Sequence, residues 1–124
     1  MKLLFVAVGG AAGALLRYGA TLLLPPASPS RVPWATLAVN LIGALLIGVV
    51  ASAVERVVVH ANIQLLLTVG VLGAFTTFST YMLESLLLIQ GRSFGLFVGY
   101  VDLSNAAGLM LAAAGYNIGK QIAG

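Results

Sequence analysis

Four long apolar segments, separated by short polar or proline-containing turns, make up almost the whole chain. The first runs from about Leu3 to Leu24 and ends at P-P-A-S-P-S, a stretch that cannot continue a helix. The others run from about Pro33 to Val54, from about Ile63 to Ile89 and from about Phe94 to Ile118. Because a membrane-spanning helix needs roughly 20 apolar residues, the pattern predicts an all-α membrane protein whose four spans form one domain, residues 1–124.

The third segment contains a stretch that does not suit a smooth helix. From Gly70 to Tyr81 the sequence is G-V-L-G-A-F-T-T-F-S-T-Y. Glycine makes a helix less stable, and β-branched threonine loses side-chain freedom at χ1 in a helix, so the stretch is a poor helix former. Inside a membrane, irregular backbone persists only where protein or a water-filled cavity can satisfy its polar groups. The stretch therefore predicts a helix break that lines an ion or substrate site. The alternative is a serine- and threonine-rich seam between packed helices.

Composition sets the class of protein and excludes several functions. Of the 124 residues, 60% are hydrophobic and only 7% are charged, too few charges to cover the surface of a soluble domain. The six Lys and Arg residues are scattered, so we expect no nucleic-acid partner. Cysteine is absent and His60 is isolated, so we expect neither disulfides nor an enzyme. The first apolar segment lacks a convincing cleavage site, so we expect it to remain in the mature chain.

Small residues and the distribution of charge suggest how copies of the chain associate. Three G-x-x-x-G pairs can let helix backbones approach closely: Gly9 with Gly13, Gly95 with Gly99, and Gly115 with Gly119. With four spans, Lys2, Arg56 and Lys120 lie on one side of the membrane, and Arg31 and Arg92 lie on the other with Arg17 nearer to them. Orientation depends on Lys/Arg asymmetry, which is nearly absent here. The sequence therefore predicts insertion in both orientations and an antiparallel homodimer.

Polar and aromatic residues within the spans are candidates for an ion pathway. Asn40 must find partners in lipid, either as a bond between helices or as a donor in the pathway. Phe78 and Tyr81 share one helix face, as packing aromatics often do. Tyr100 and Ser104 also share a face, and their spacing fits helix contacts as well as a pathway.

Taken together, three of these stretches resemble the Fluc (CrcB) family of fluoride channels, over essentially the whole chain. They are T-L-A-V-N-L-I-G at residues 36–43, G-V-L-G-A-F-T-T-F-S-T-Y at residues 70–81 and G-G-A-A-G-A-L-L-R-Y at residues 9–18. The resemblance implies a dual-topology dimer in a prokaryotic plasma membrane, with two pores that export fluoride passively and relieve its toxicity. It also implies one central structural sodium ion, held by the backbone carbonyls of Gly73 and Thr76 from both copies.

The positions that form the fluoride pathway in the family are occupied in this chain by hydrogen-bond donors and aromatic rings. Fluoride is strongly hydrated, so donors must replace its water, and an aromatic edge carries partial positive charge. Arg17 would add positive potential in a vestibule. The implied pathway residues are Asn40, Thr77, Phe78, Thr80, Tyr81, Tyr100 and Ser104.

Three residues depart from the family pattern. Tyr81 stands where phenylalanine is usual, which adds a hydroxyl group. Gly108 replaces a serine of the polar track one turn after Ser104, and Asp102 is unexpected in a protein that conducts anions. At about 200° from Tyr100 around the helix, Asp102 should point away from the pore.

Two other functions compete with a channel. A small proton-coupled exporter would need a membrane carboxylate, for which Glu84 and Asp102 are candidates, but the first span contains no acid. A membrane assembly subunit without transport activity would use its hydroxyls and asparagines only to bind helices together.

Depth in the membrane leads to one further expectation. Arg17, Glu84 and Asp102 all lie roughly 9 to 12 Å below the same surface at a rise of about 1.5 Å per residue. Ionisable groups at that depth are usually paired. We therefore predict that Arg17 pairs with Asp102 or Glu84, the alternative being that Arg17 extends to the interface and attracts fluoride.

Overall fold

The computed structural model describes residues 1–124 and is built from helices, four of which are long and apolar enough to cross a membrane. The predicted all-α class and the four spans are thus confirmed. The third of these helices, from Ala61 to Gln90, consists of several pieces. The elements are α1 (Lys2–Leu23), α2 (Trp34–Arg56), α3 (Ala61–Leu65), a π-helical segment (Leu66–Leu72), α4 (Gly73–Phe75), α5 (Phe78–Gln90) and α6 (Phe94–Ala123).

The ends of the helices follow from local sequence. α1 stops just before Pro25 and Pro26, and α2 begins directly after Pro33, since proline lacks the N–H that a helix interior requires. His60 accepts a hydrogen bond from the backbone N–H of Asn62 at 3.2 Å and so caps α3. The fourth helix continues five residues past the predicted Ile118 to Ala123, because nothing between them breaks the helix and Lys120 suits a helix C-terminus.

Close approach between helices depends on glycines. Gly9 of α1 faces Gly70, so a Cβ at Gly9 would lie 3.0 Å from the Gly70 Cα and 3.1 Å from the Val71 nitrogen. Gly115 of α6 lies against the Leu45 carbonyl of α2 in the same way. By contrast, a Cβ at Gly95 or Gly99 would have no neighbouring atom within 4 Å. Two of the three predicted glycine pairs are therefore used inside one chain, and they give no independent support for self-association.

Many large apolar side chains are exposed along the helices, as a lipid environment requires. Only 17 of the 124 residues are buried, and large side chains such as Leu3, Leu15 and Leu23 are exposed along α1. Transfer of such surface from water is favourable by about 25 cal/mol per Å². The chain is therefore a membrane protein whose few buried groups lie between helices.

Two adjacent glycines of α1 provide a test of this packing. We expect Gly9→Ala to lower the thermal unfolding midpoint of the detergent-solubilised protein by several degrees, because the added methyl group would meet the backbone at Leu66 and Gly70 and overpacking costs about 1–3 kcal/mol. Gly10→Ala is the matched control, since no atom lies within 4 Å of its Cβ position. Equal midpoints for the two variants would contradict the close approach of α1 to the third span.

Candidate functional site

The backbone leaves the helical conformation at Thr76 and Thr77. Thr76 has φ −81° and ψ 157°, and Thr77 has φ −149° and ψ 120°, which are extended values. The helix resumes at Phe78, where Thr77 acts as the N-cap: its hydroxyl accepts a hydrogen bond from the Thr80 N–H at 3.3 Å and donates to the Thr80 hydroxyl at 3.0 Å. Threonine is a good N-cap because its side chain satisfies a free helix N–H. We call residues 76–77 the interruption.

Asn40 of α2 satisfies the backbone of the interruption. Its Nδ2 donates to the Thr77 carbonyl at 3.1 Å, and its Oδ1 accepts from the Thr77 N–H at 2.8 Å. One side chain thus replaces both backbone hydrogen bonds that Thr77 would make in a continuous helix. Because an amide nitrogen carries two hydrogens, one N–H of Asn40 remains free. Asn40 therefore links α2 to the third span through hydrogen bonds, and its free N–H can still donate to an ion.

Arg17 binds the backbone on the other side of the interruption. Its Nε donates to the carbonyl of Ala74 in α4 at 3.1 Å. The predicted ion pair was wrong: both oxygens of Glu84 accept hydrogen bonds from hydroxyls instead, from Thr36 at 2.8 Å and from Tyr100 at 3.0 Å. Asp102 is exposed on α6. Depth alone misled the prediction, because free backbone carbonyls and hydroxyls compete with carboxylates as partners.

A groove of about 420 Å³ lies beside the interruption. Gly43 of α2 lines the groove and lets Thr76 pack closely against α2, because a Cβ there would meet the methyl group of Thr76. No lysine, arginine, histidine, aspartate or glutamate lines the groove, whereas two aromatic rings and several polar groups do. Its polar and aromatic lining residues are Asn40, Thr68, Thr76, Thr77, Phe78 and Tyr81.

The aromatic residues form a short edge-to-face series. Phe78 is 72% exposed, and its ring lies 6.0 Å from that of Tyr81 at an angle of 68°. The Tyr81 ring lies 5.2 Å from that of the buried Tyr100 at 75°. This arrangement leaves Phe78 open to the groove while Tyr81 is held between two rings.

A second cavity of about 170 Å³ lies on the other side of Thr77. Arg17 and Glu84 both line it without forming an ion pair, together with the hydroxyl residues Thr36 and Thr80. Thr77 lines both cavities. Thr77 therefore lies between a groove without ionisable side chains other than Tyr81 and a cavity that is lined by both Arg17 and Glu84.

The structure brings most of the predicted pathway residues together. Asn40, Thr77, Phe78 and Tyr81 line the groove, and Thr80 lines the second cavity. Tyr100 contacts Tyr81, whereas Ser104 is half-buried and lines neither cavity. The part that each residue takes in an ion pathway remains a prediction.

Two contacts of the site were not anticipated from the sequence. One is the pair of hydrogen bonds that the hydroxyls of Thr36 and Tyr100 donate to Glu84. The other is a hydrogen bond from Asn105 Nδ2 to the Tyr81 hydroxyl at 3.0 Å. The only sequence signal for Asn105 was a further amide inside the fourth apolar segment. Spacing along one helix cannot identify a partner on another helix.

The predicted cation ligands can be tested against the chemistry of their surroundings. Gly73 and Thr76 both line the groove, and no side chain donates a hydrogen bond to either carbonyl. By contrast, the carbonyls of Ala74 and Thr77 are taken by Arg17 and Asn40. No cluster of His, Cys, Asp or Glu could serve instead. The residues present fit a hard cation, which prefers oxygen ligands.

Comparison with known proteins identifies related sequences over nearly the full chain. Residues 4–116 match the family described as CrcB-like protein, Camphor Resistance (CrcB). A relative from Thermus thermophilus is 42% identical over 99% of this chain and 98% of its own length, and one from Salinibacter ruber is 42% identical over 93% and 86%. A third, from Bacteroides fragilis, is 40% identical over 97% of both chains. Each of these relatives is named a fluoride-specific ion channel FluC.

The pairing of Asn40 with Thr77 generates a test of stability. We expect Asn40→Ala to destabilise the protein by about 2–3 kcal/mol, because it leaves a partly buried N–H and a partly buried carbonyl without partners. The matched control is Asn117→Ala on exposed α6 surface, where the side chain makes no hydrogen bond. Thermal unfolding in detergent measures both variants. If Asn40→Ala were as stable as the control, the stabilising role of the hydrogen bonds between Asn40 and Thr77 would be contradicted.

Proposed function

The chain belongs to the CrcB-like family, and we propose that it is a fluoride-selective channel through which fluoride leaves the cell down its electrochemical gradient. The family consists of ion channels and not of enzymes, and relatives at about 40% identity are named for fluoride. The observation that carries the proposal is the groove at the interruption, which offers hydrogen-bond donors and a ring edge and is lined by no basic side chain.

The chemistry of the groove suits a small, strongly hydrated anion. Asn40 keeps one free N–H, and the exposed Phe78 can turn its positive ring edge toward an ion. A lysine or arginine at the same place would hold the anion tightly, whereas conduction requires binding that is weak enough for release. Fluoride would thus exchange its water for donors that do not trap it.

A proton-coupled exporter is not favoured by these contacts. Such a protein needs a carboxylate that exchanges protons with substrate. Glu84 accepts hydrogen bonds from Thr36 and Tyr100, one on each of its oxygens, so about half of the acceptor sites of the carboxylate are already used within the chain. The alternative of an assembly subunit without transport activity is distinguished by measuring fluoride flux.

The proposal includes an antiparallel homodimer with two pores. It is supported by the near balance of Lys and Arg between the two sides of the four spans and by the open side of the groove, where Phe78 is 72% exposed. A second copy in the opposite orientation would cover this side and complete a pore wall. Two equivalent grooves then give two pores.

We also propose that the interruption lies near the middle of the membrane and holds a structural sodium ion. One chain would supply the carbonyls of Gly73 and Thr76, and the second copy would supply the other two. A bound sodium ion would hold the two interruptions against each other. Arg17 and Asn40 support this role because they occupy the neighbouring carbonyls and leave these two free of side-chain donors.

Flux from reconstituted vesicles tests the transport function. Vesicles that contain only this chain should release fluoride and retain chloride, with rates that differ by orders of magnitude, as a fluoride electrode and a chloride electrode measure. Phe78→Ile should abolish fluoride release while the protein elutes unchanged from a sizing column, because it removes the ring edge from an exposed position. Comparable release of chloride, or undiminished fluoride release from the variant, would contradict the proposal.

Dependence of stability on cations tests the sodium site. Protein purified in sodium should unfold at a higher temperature than protein purified in N-methylglucamine, since binding to the folded state alone stabilises it. Thr76→Val should keep this difference between the two cations, because the proposed ligand is the carbonyl. If sodium had no effect on the unmodified chain, the structural ion would be rejected.

A further inference from the structure

Tyr81 lines the groove, and its hydroxyl occupies a defined position. Tyr81 is only 8% exposed, and its ring is fixed between those of Phe78 and Tyr100, at 6.0 and 5.2 Å. Asn105 of α6 donates from Nδ2 to the Tyr81 hydroxyl oxygen at 3.0 Å. The position of the phenol is therefore set from both of its ends, by two rings and by one amide.

The hydroxyl proton has no acceptor within the chain. An amide nitrogen only donates, and Asn105 Nδ2 is committed in that direction because it also donates to the Val101 carbonyl at 2.8 Å. The Tyr81 oxygen must accept at this contact, and no hydrogen bond in the chain uses its proton. A nearly buried donor without an acceptor is unfavourable, so the proton requires an acceptor from outside the chain.

We propose that the Tyr81 hydroxyl, oriented by Asn105, donates a hydrogen bond to fluoride in the groove. The inference rests on the proposed transport function and assigns to this chain a donor that phenylalanine could not provide. Tyr81 lines the groove together with Asn40 and Phe78, so an ion there meets an N–H, a ring edge and an O–H. Asn105 is a positioning residue, because it acts on the ion only through Tyr81.

Tyr81→Phe tests the inference, since it removes one oxygen and keeps the ring. The fluoride concentration that gives half of the maximal efflux rate should rise about tenfold, the usual effect of losing a hydrogen bond to a charged group. The maximal rate should stay the same or increase, because the ion is released more easily. Fluoride efflux from vesicles, measured over a range of internal fluoride concentrations, separates the two quantities.

Asn105 and a distant tyrosine provide the controls. Asn105→Ala should raise the half-saturating concentration by a smaller factor in the unmodified chain, and it should have no effect when combined with Tyr81→Phe. Tyr116→Phe removes a hydroxyl that donates to Glu55 at 2.6 Å, near the ends of α2 and α6 and away from the groove. It should leave the half-saturating concentration unchanged.

The possible outcomes separate the inference from the proposed function. An unmodified chain that releases no fluoride would overturn both. If the unmodified chain releases fluoride and Tyr81→Phe has the same half-saturating concentration, only the inference is rejected. A Tyr81→Phe variant that loses thermal stability without any change in that concentration would likewise reject it, since the hydroxyl would then serve packing alone.

Discussion

The arrangement of the site depends on one constraint: backbone groups that leave a helix inside a membrane need other partners. Lipid offers none, and each unsatisfied group is costly. Here Asn40 bonds to both polar backbone groups of Thr77, Arg17 bonds to the Ala74 carbonyl, and the Thr76 hydroxyl donates to the Leu72 carbonyl at 2.9 Å. These contacts make the extended residues Thr76 and Thr77 stable. They also determine which carbonyls remain without side-chain donors.

Close helix packing brings these partners within reach. Gly43 lets Thr76 approach α2, and the contact of Gly9 with Gly70 draws α1 against the third span. Asn40 and Arg17 lie on those same two helices. The glycines therefore act indirectly on the site, because they set the distance at which α1 and α2 can donate to the interruption. A groove without fixed charges then forms between α2 and the interruption.

The sequence was sufficient for the class of fold and for the family, because both depend on local features. Long apolar segments separated by prolines predict spans directly, and the motif around Thr76 to Tyr81 is specific. Partners between helices were harder to predict. Arg17 was assigned to a carboxylate because depth was the only available measure, whereas the structure places a backbone carbonyl at hydrogen-bond distance. The bond between Asn105 and Tyr81 was missed for a related reason, since it depends on how α6 is rotated against α5.

The central claim is that Thr76 and Thr77 hold an extended backbone within the third apolar span and so form the candidate site. Solid-state NMR of the protein in bilayers, with ¹³C-labelled threonine, measures this conformation directly through the Cα and Cβ chemical shifts. The account predicts extended values for Thr76 and Thr77 and helical values for Thr80, which lies within α5. Helical shifts at all three residues would mean that the third span is continuous, and would contradict the account.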